Sequence, residues 1–547
     1  MAAKLRKRIR LDGSTFKVMR RFSQYKLLII KTLLTVGGSV FLFAAPANEI
    51  ASTSAQIIVH SGNSLGAISP YIYSLGIEWL NNGDGVIDTT TNQPRQDILN
   101  LLVPLHVPVW RFPGGILSDY YHWQDGIGPV AARPWRTNPM DGTMHANNFG
   151  TDEFIAFCRA QNSQPLITAN FGTGTVNDAL DWQAYFIHAS MPVRFWEIGN
   201  EIYLAEPTMP AAIAGDDDRI YKTPAQYASE FPAWARALRR ADPTVLVGAI
   251  AGTTNTSIQN RGWLDTLLSI AAPDINFIAL HNSLAPLIFT SYDYSSNPLL
   301  LRAYGAMAAQ TINAGEDTQY VQQKCVAENR SAECRVAITE HFPLFGAGPT
   351  KDQLLAGLDQ SRTQGSALFT ASLFHTYIRQ GVWMANYNIA TSPWFGALIT
   401  ETPNGLVKTP TYYVYDLYRN HFGTTSVSVD TIGPSFNTSA VGSVSARTRV
   451  PYLDVVASSD ANGRTYLAVI NRNSSDSIDA SIAVDGLETL PPTTVYSLQA
   501  SQVNAINGAP LTSTTAPTNV TPQVTTWVPT QNEAYVFPPN SVTILIW

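Results

Sequence analysis

The sequence predicts an α/β fold: a (β/α)8 barrel (TIM barrel) followed by a C-terminal antiparallel β-sandwich. Three observations carry this reading. Short apolar runs alternate with amphipathic stretches from about Ile68 to Asn388, the alternation changes character after about Tyr415, and the 547 residues leave room for one large barrel plus a smaller domain.

The strand-like runs are Pro70–Glu78, Val107–Gly114, Pro165–Phe171, Val193–Glu201, Val245–Gly252, Asn276–His281, Arg335–Glu340 and Val382–Asn388. Each is short, apolar and closed by Gly, Pro, Asn or a charge, as buried parallel strands are. Between them lie stretches with helical spacing, such as Thr151–Gln161, Asp178–Ala189, Pro224–Arg240 and Leu354–Arg379. Eight buried strands with helical crossovers indicate a closed barrel rather than an open sheet. Strands five and six rest on periodicity alone.

Beyond Tyr415 helical spacing gives way to Ser/Thr/Asn-rich segments. Short β runs alternate with them at Tyr452–Ala457, Tyr466–Ile470, Ile478–Val484, Thr494–Leu498 and Val542–Trp547, the pattern of a sandwich. Ile57–His60 is a candidate extra strand for it. The expected organisation is a leader over 1–47, an N-terminal strand segment over 48–66, the barrel over 67–412 and the sandwich over 413–547.

Charged residues make up only 14% of the chain, and the net charge is −6. That is too few charges for a coiled coil or a charge-driven disordered protein. The total is not basic, so no nucleic-acid partner is indicated. The first 31 residues hold ten Lys and Arg against Asp12 alone, so the remainder carries 25 basic against 40 acidic side chains. An apolar stretch from Leu27 to Ala45 and the small residues Ala44-Ala45-Pro46-Ala47 complete the layout of a secretory leader. Lys31 and Gly37-Gly38 interrupt the apolar run, which leaves an uncleaved membrane anchor as the alternative. A secreted or periplasmic protein is expected either way. Cys325 and Cys334 are spaced to close a loop in an oxidising compartment, whereas Cys158 lies on an apolar helix face. No Cys/His cluster has metal-ligand spacing, and no metal or organic cofactor is implied.

In barrel enzymes the reacting groups sit at the C-terminal ends of the strands. Those ends supply Glu78, Arg111 with Gly114-Gly115, Asn170, Asn200-Glu201, His281, Glu340-His341, and Asn386 with Asn388. Carboxylates from strands four and seven would face one another across the barrel mouth. Glycoside hydrolysis needs such a pair, one carboxyl to protonate the leaving oxygen and one to act at the anomeric carbon. Either Glu alone reads as a solvated rim residue. Together, Trp196-Glu-Ile-Gly-Asn-Glu201 and Ala337-Ile-Thr-Glu340 end apolar strands at the right places in strand order.

Arg111-Phe-Pro-Gly-Gly115, Tyr121-His-Trp-Gln-Asp-Gly-Ile-Gly-Pro129 and Asn148-Phe-Gly-Thr-Asp-Glu153 resemble the strand-two region of family 51 glycoside hydrolases, clan A retaining enzymes that are mostly α-L-arabinofuranosidases. Ala367-Leu-Phe-Thr-Ala371, Trp383-Met-Ala-Asn386 and Lys408-Thr-Pro-Thr-Tyr412 continue the resemblance, which spans about residues 57–425. It implies Glu201 as general acid/base, Glu340 as nucleophile and Asn200 as a ligand of the sugar 2-hydroxyl. It further implies that Arg111 holds Glu340 ionised, that Glu78 binds hydroxyls in the −1 subsite and that His281 lines it. The alternatives are an ion pair at the barrel bottom for Arg111 and a satisfied core residue for His281. Glu201 must begin the reaction protonated, so its environment should raise its pKa, which predicts an acidic to neutral optimum.

The sequence departs from the family at several −1 positions. Ile116 stands where the family typically has Asn, Ser283 where it has Tyr, and His341-Phe342 follow the nucleophile where Trp is common. The usual Gln after strand eight is not evident either. The expected activity is release of arabinofuranosyl residues from plant-type polysaccharide or oligosaccharide. An endo-β-1,4-glucanase or β-xylosidase with the same two Glu is the alternative, with Trp123, Trp135, Trp383 and Trp394 as candidate stacking platforms. Gly62-Asn-Ser64-Leu-Gly66 matches the serine-hydrolase G-x-S-x-G pattern but is followed by Ala67-Ile-Ser-Pro70 rather than a helix. A carbohydrate-binding protein on a degenerate barrel would have lost a catalytic carboxylate, and both are present.

Overall fold

The computed structural model describes residues 54–138, 143–204, 222–252, 258–288, 290–328, 335–346, 350–392, 396–402, 404–512, 517–530 and 533–547. The leader over 1–47 lies outside these residues. Among the described residues no helix is long and apolar enough to cross a membrane.

β1 (Ser54–Ala67) precedes the barrel. The barrel strands are β2 (Ser74–Gly76), β3 (Val109–Phe112), β4 (Gln164–Ala169), β5 (Phe195–Ile198), β6 (Leu246–Ile250) and β7 (Phe277–Ala279), then β9 (Arg335–Leu344) and β10 (Met384–Tyr387). All eight pair in parallel, and β10 returns to β2, so the barrel closes. A ninth short strand, β8 (Ser283–Pro286), continues the line of β7 and pairs with the long C-terminal half of β9. The helices between the strands are α1 (Gln96–Leu102), α2 (Thr151–Gln161), α3 (Val176–His188), α4 (Pro224–Ala241), α5 (Ile258–Ala271), α6 (Asn297–Ala327), α7 (Lys351–Gln360) and α8 (Gln364–Gln380). Several start on a Thr whose hydroxyl accepts from the backbone of the first turn, as Thr175, Thr223 and Thr363 do. Cys325, near the end of α6, is disulfide-bonded, and Cys158, on the buried face of α2, is free. Cys334 lies outside the described residues.

Barrel strands bury both faces. On β3, Trp110 and Phe112 point outward to pack on Phe157 and Phe154 of α2, while Arg111 between them points in. On β5, Trp196 meets Trp182 of α3, and Glu197 points in. The period of two in these two strands thus sends one charged side chain to the axis and its aromatic neighbours to the helices.

α9 (Pro410–His421) completes the barrel, so the expected boundary at 412/413 falls inside a helix. The sequence shows helical order ending near Tyr415, but Leu417 and Tyr418 still pack on the buried face. The C-terminal strands are β11 (Thr425–Ile432), β12 (Leu453–Ser459), β13 (Thr465–Asn471), β14 (Ile478–Val484), β15 (Thr493–Gln499), β16 (Gln523–Trp527), β17 (Tyr535–Phe537) and β18 (Ser541–Ile546). Together with β1 they form one continuous curled sheet in the order β16-β15-β18-β13-β12-β11-β1-β14-β17. Its two edges approach one another, with Trp527 of β16 and Tyr535 of β17 in edge contact at 5.1 Å. The sheet is antiparallel throughout except where β1 runs parallel to β14.

β1 is thus the seventh of nine strands, not an appendage. Ile57 and Val59 sit in the domain's own core with Val427, Leu467, Val469 and Leu545. The opposite face of β12, β13 and β18 packs on the barrel helices through Val456, Ile470 and Ile544, which is why β13 is buried at every position. Asp454 fastens this contact. Burial alone would raise its pKa, but Arg379 and Arg472, at 2.8 and 2.5 Å, hold the carboxyl well below the usual range. Ser64 of the G-x-S-x-G match lies within β1 itself, not at a tight turn leading into an α-helix, and offers no nucleophile elbow.

Candidate active site

Arg111 organises the mouth of the barrel. It is buried, and its guanidinium donates in three directions: Nε to Glu197 Oε2 at 2.8 Å, Nη2 to Asn200 Oδ1 at 2.7 Å and Nη1 to Glu340 Oε2 at 3.3 Å. A planar fork of fixed geometry suits this task, since one side chain sets three partners at once. The contact with Glu340 and the position at the strand ends exclude a barrel-bottom ion pair.

Asn200 and Glu201 follow β5 through Gly199, whose φ of +77° turns the chain where a side chain would meet Phe171 and Asp119. The Asn200 backbone N–H donates to Asp119 Oδ2 at 3.0 Å. Asn200 Oδ1 is taken by Arg111, and its amide nitrogen Nδ2 is buried with no partner among the described residues. A buried amide nitrogen so placed can donate to a ligand oxygen.

His281, at the end of β7, stands between the two carboxyls. Its Nδ1 lies 3.0 Å from Glu201 Oε1 and 3.8 Å from Glu340 Oε2. Those two oxygens can be no further apart than the sum of the two distances, so the carboxyls share one side of the barrel mouth. Nε2 of His281 meets Thr339 Oγ1 at 3.1 Å.

Thr339 and Glu340 both reach inward because β9 carries a bulge. Ile338 pairs with Ala385 and His341 with Tyr387, so three residues of β9 run against two of β10. Bulges re-aim side chains in this way. Thr339 Oγ1 donates to Glu197 Oε1 at 2.6 Å, and Thr168 Oγ1 donates to Glu197 Oε2 at 2.9 Å.

Glu78 approaches from β2. Burial, and next the charge of Glu340, push its pKa up to about 7, against the opposing hydrogen bond from Asn388 and the charge of Arg111. Its backbone N–H donates to Asp84 Oδ2 at 2.8 Å. Burial likewise lifts Asp119 to about 7.

Asn200, Arg111, Glu340, His281 and Glu201 are thus joined in one chain of contacts, with Glu78 close enough to feel the charge of Glu340. Three expected ligands lie elsewhere. Trp123 is buried flat against Trp182, planes 2° apart, with Nε1 donating to Asp178 O, and presents no face to a sugar. Trp383 begins β10 rather than ending it. It packs among Tyr71, Phe195 and Phe277 at the strand starts, the opposite end of the barrel. Asn386 is fully buried, with Nδ2 donating to Leu75 O, and Asn388 is the strand-eight residue that reaches Glu78. Trp394 lies outside the described residues.

Glu197, Thr168, Thr339 and Asp119 were not singled out from the sequence. Glu197 carried a readable signal, since a carboxylate inside a four-residue buried strand requires a partner. Thr339 and Asp119 carried none. Among the described residues no cluster of His, Cys, Asp or Glu could hold a metal.

Two family models match the chain: the α-L-arabinofuranosidase 1 domain over residues 101–273 and the α-L-arabinofuranosidase C-terminal domain over 350–541. The chain belongs to glycoside hydrolase family 51. A probable α-L-arabinofuranosidase C of Aspergillus niger is 27% identical over 525 residues, covering 90% of this chain and 97% of its own. The family 51 fold recurs in solved structures. The α-L-arabinofuranosidase of Thermotoga maritima in complex with arabinose superposes with a TM-score of 0.72 at 24% identity, over 90% of this chain and 100% of that one. The family 51 enzyme AbfB of Bifidobacterium longum gives 0.74 at 19%, over 91% and 100%. This family 51 chain is therefore a retaining O-glycosyl hydrolase acting on carbohydrate.

Proposed function

We propose that the chain is an α-L-arabinofuranosidase that releases arabinofuranosyl residues from plant-type polysaccharides or oligosaccharides by double displacement. The observation that carries the reading is the pair of carboxyls, Glu201 and Glu340, gathered on one imidazole nitrogen of His281. The names of the relatives supply the sugar.

In the first step Glu340 attacks the anomeric carbon while Glu201 gives its proton to the departing glycosidic oxygen. In the second, Glu201 takes a proton from water as the water oxygen displaces Glu340 from that carbon. Arg111 favours the ionised form of Glu340, as a nucleophile requires. The free Nδ2 of Asn200 is the donor for the sugar 2-hydroxyl, where a bond that tightens in the transition state raises the rate. Glu78, able to carry a proton near neutrality, is suited to binding further hydroxyls. Trp135, 61% exposed on the excursion after β3, is a surface aromatic available to a longer substrate. The basic, then apolar, first 47 residues support export, with cleavage or anchoring as the two outcomes.

Hydrolysis of aryl α-L-arabinofuranoside, compared with aryl β-xyloside and soluble β-glucan, tests the sugar. Preference for the xyloside or glucan overturns the assignment. Glu201→Ala and Glu340→Ala should each abolish turnover of unactivated substrate, and NMR should find the first-formed anomer retained.

A further inference from the structure

The hydrogen bonds around His281 run in one direction only. As the ion-pair partner of Arg111, Glu197 offers oxygens that accept, so the 2.6 Å contact from Thr339 has the hydroxyl proton pointing at Glu197. The Thr339 oxygen then has only lone pairs left for His281. The 3.1 Å contact to Nε2 therefore requires the proton on Nε2. In the neutral imidazole this leaves Nδ1 as an acceptor, and the group 3.0 Å away is Glu201 Oε1. An acceptor nitrogen facing a carboxyl at that distance is satisfied when the carboxyl carries the proton.

We propose that Thr339 is a positioning residue that, with Glu197 behind it, locks His281 in the Nε2–H tautomer and thereby keeps the reactive proton on Glu201. This rests on Glu201 acting as general acid. The chain Arg111–Glu197–Thr339–His281–Glu201 links the strand ends of β3, β5, β9 and β7. Among the described residues, the carboxyls facing the imidazole are Glu197 and Glu201 from β5 and its following turn and Glu340 from β9, and Arg111 from β3 and Tyr203 stand near those carboxyls. Glu340 has Arg111 as its cation, so His281 is free to serve Glu201. During the first step the proton leaves Glu201 for the glycosidic oxygen, and the second step restores it from water. The tautomer of His281 is unchanged throughout.

Thr339→Val keeps the shape and removes the hydroxyl. Expected is a fall of about 10²-fold in kcat/KM for an alkyl arabinofuranoside, whose leaving group needs protonation. The 2,4-dinitrophenyl arabinofuranoside, whose leaving group needs none, should lose less than about tenfold. The alkaline limb of the alkyl-substrate profile should move to lower pH, and Thr339→Ser should restore both. Equal losses on the two substrates with an unmoved alkaline limb reduce Thr339 to a packing role and overturn the proposal. Independently of any turnover, 15N NMR of histidine-labelled protein reads the tautomer directly, with His281 identified by its absence from His281→Gln. A protonated Nε2 with bare Nδ1 supports the lock, and protonated Nδ1 overturns it. If no arabinofuranoside is hydrolysed but Nε2 is protonated, the substrate assignment fails and the tautomer lock stands.

Discussion

Arg111 and Glu197 form an ion pair that is almost completely shut off from water, with side-chain exposures of 1% and 0%. Neither partner tolerates loss of the other. Arg111→Ala leaves a buried carboxylate unpaired, and the expected cost is about 3–5 kcal/mol of stability. Activity should fall with it, because Glu340 and Asn200 lose their common donor. Chemical denaturation and kcat/KM measured on the same preparation test this. Arg111→Lys should recover part of the stability and little of the activity, since an ammonium cannot serve three directions at fixed angles.

Gly115 stands against Glu78. A Cβ at this position would meet Glu78 Oε1 at 2.5 Å, and the φ of +66° is already costly for any other residue. Gly115→Ala should displace the Glu78 carboxylate and cost about 1–3 kcal/mol through backbone strain. Steady-state kinetics should show KM rising by more than kcat falls. An unchanged KM would separate Glu78 from substrate binding.

Glu78 also predicts a pH dependence of stability. Its pKa is raised from 4.5 to about 7, so the folded protein binds this proton more tightly than the unfolded chain does. The resulting stability is fully present below about pH 4.5 and is lost as pH rises through about 7. Glu78→Gln removes that loss. Thermal unfolding of both proteins between pH 4.5 and 8 should show the wild type declining more steeply.

His341 has the opposite sign. Its ring is fully buried among the edges of Phe374, Tyr377 and Tyr387, neither nitrogen has a hydrogen-bond partner among the described residues, and burial pushes the pKa down to about 3. The unfolded chain takes up a proton below about pH 6.5 that the folded form refuses. Stability is therefore lost as pH falls from about 6.5 towards 3, at up to about 1.4 kcal/mol per pH unit. His341→Phe should flatten this slope and gain about 1 kcal/mol near neutrality, by removing two unsatisfied nitrogens. Urea midpoints at pH 7 and pH 5 check both effects.

The eight barrel strands were legible because parallel strands buried on both faces read as short continuous apolar runs, and their ends named Glu201 and Glu340. What stayed hidden depends on direction rather than identity. Trp383 and Asn388 belong to one expected strand, but only the geometry shows that the first lies at its floor and the second at its mouth. The bulge in β9 that turns Thr339 and Glu340 to the same side leaves no mark in Ala337-Ile-Thr-Glu340. Trp123 reads as a loop aromatic, and only its stacking on Trp182 shows it to be core. The short β8 was absorbed into its neighbourhood because four residues carry too little pattern to stand alone.

The placement of β1 has a consequence for biogenesis. It pairs on one side with β11, where His60 bonds Asp430 across 370 residues of sequence, and on the other with β14. During synthesis this strand emerges first and waits for the whole barrel to be made before either neighbour exists. Until then it is an unpaired β segment bearing Ile57 and Val59, open to wrong partners. A chain held unfolded and threaded across a membrane before folding would meet its partners all at once. A separately expressed fragment starting after the barrel would carry an open slot in the middle of its sheet, fillable by a peptide spanning residues 54–67.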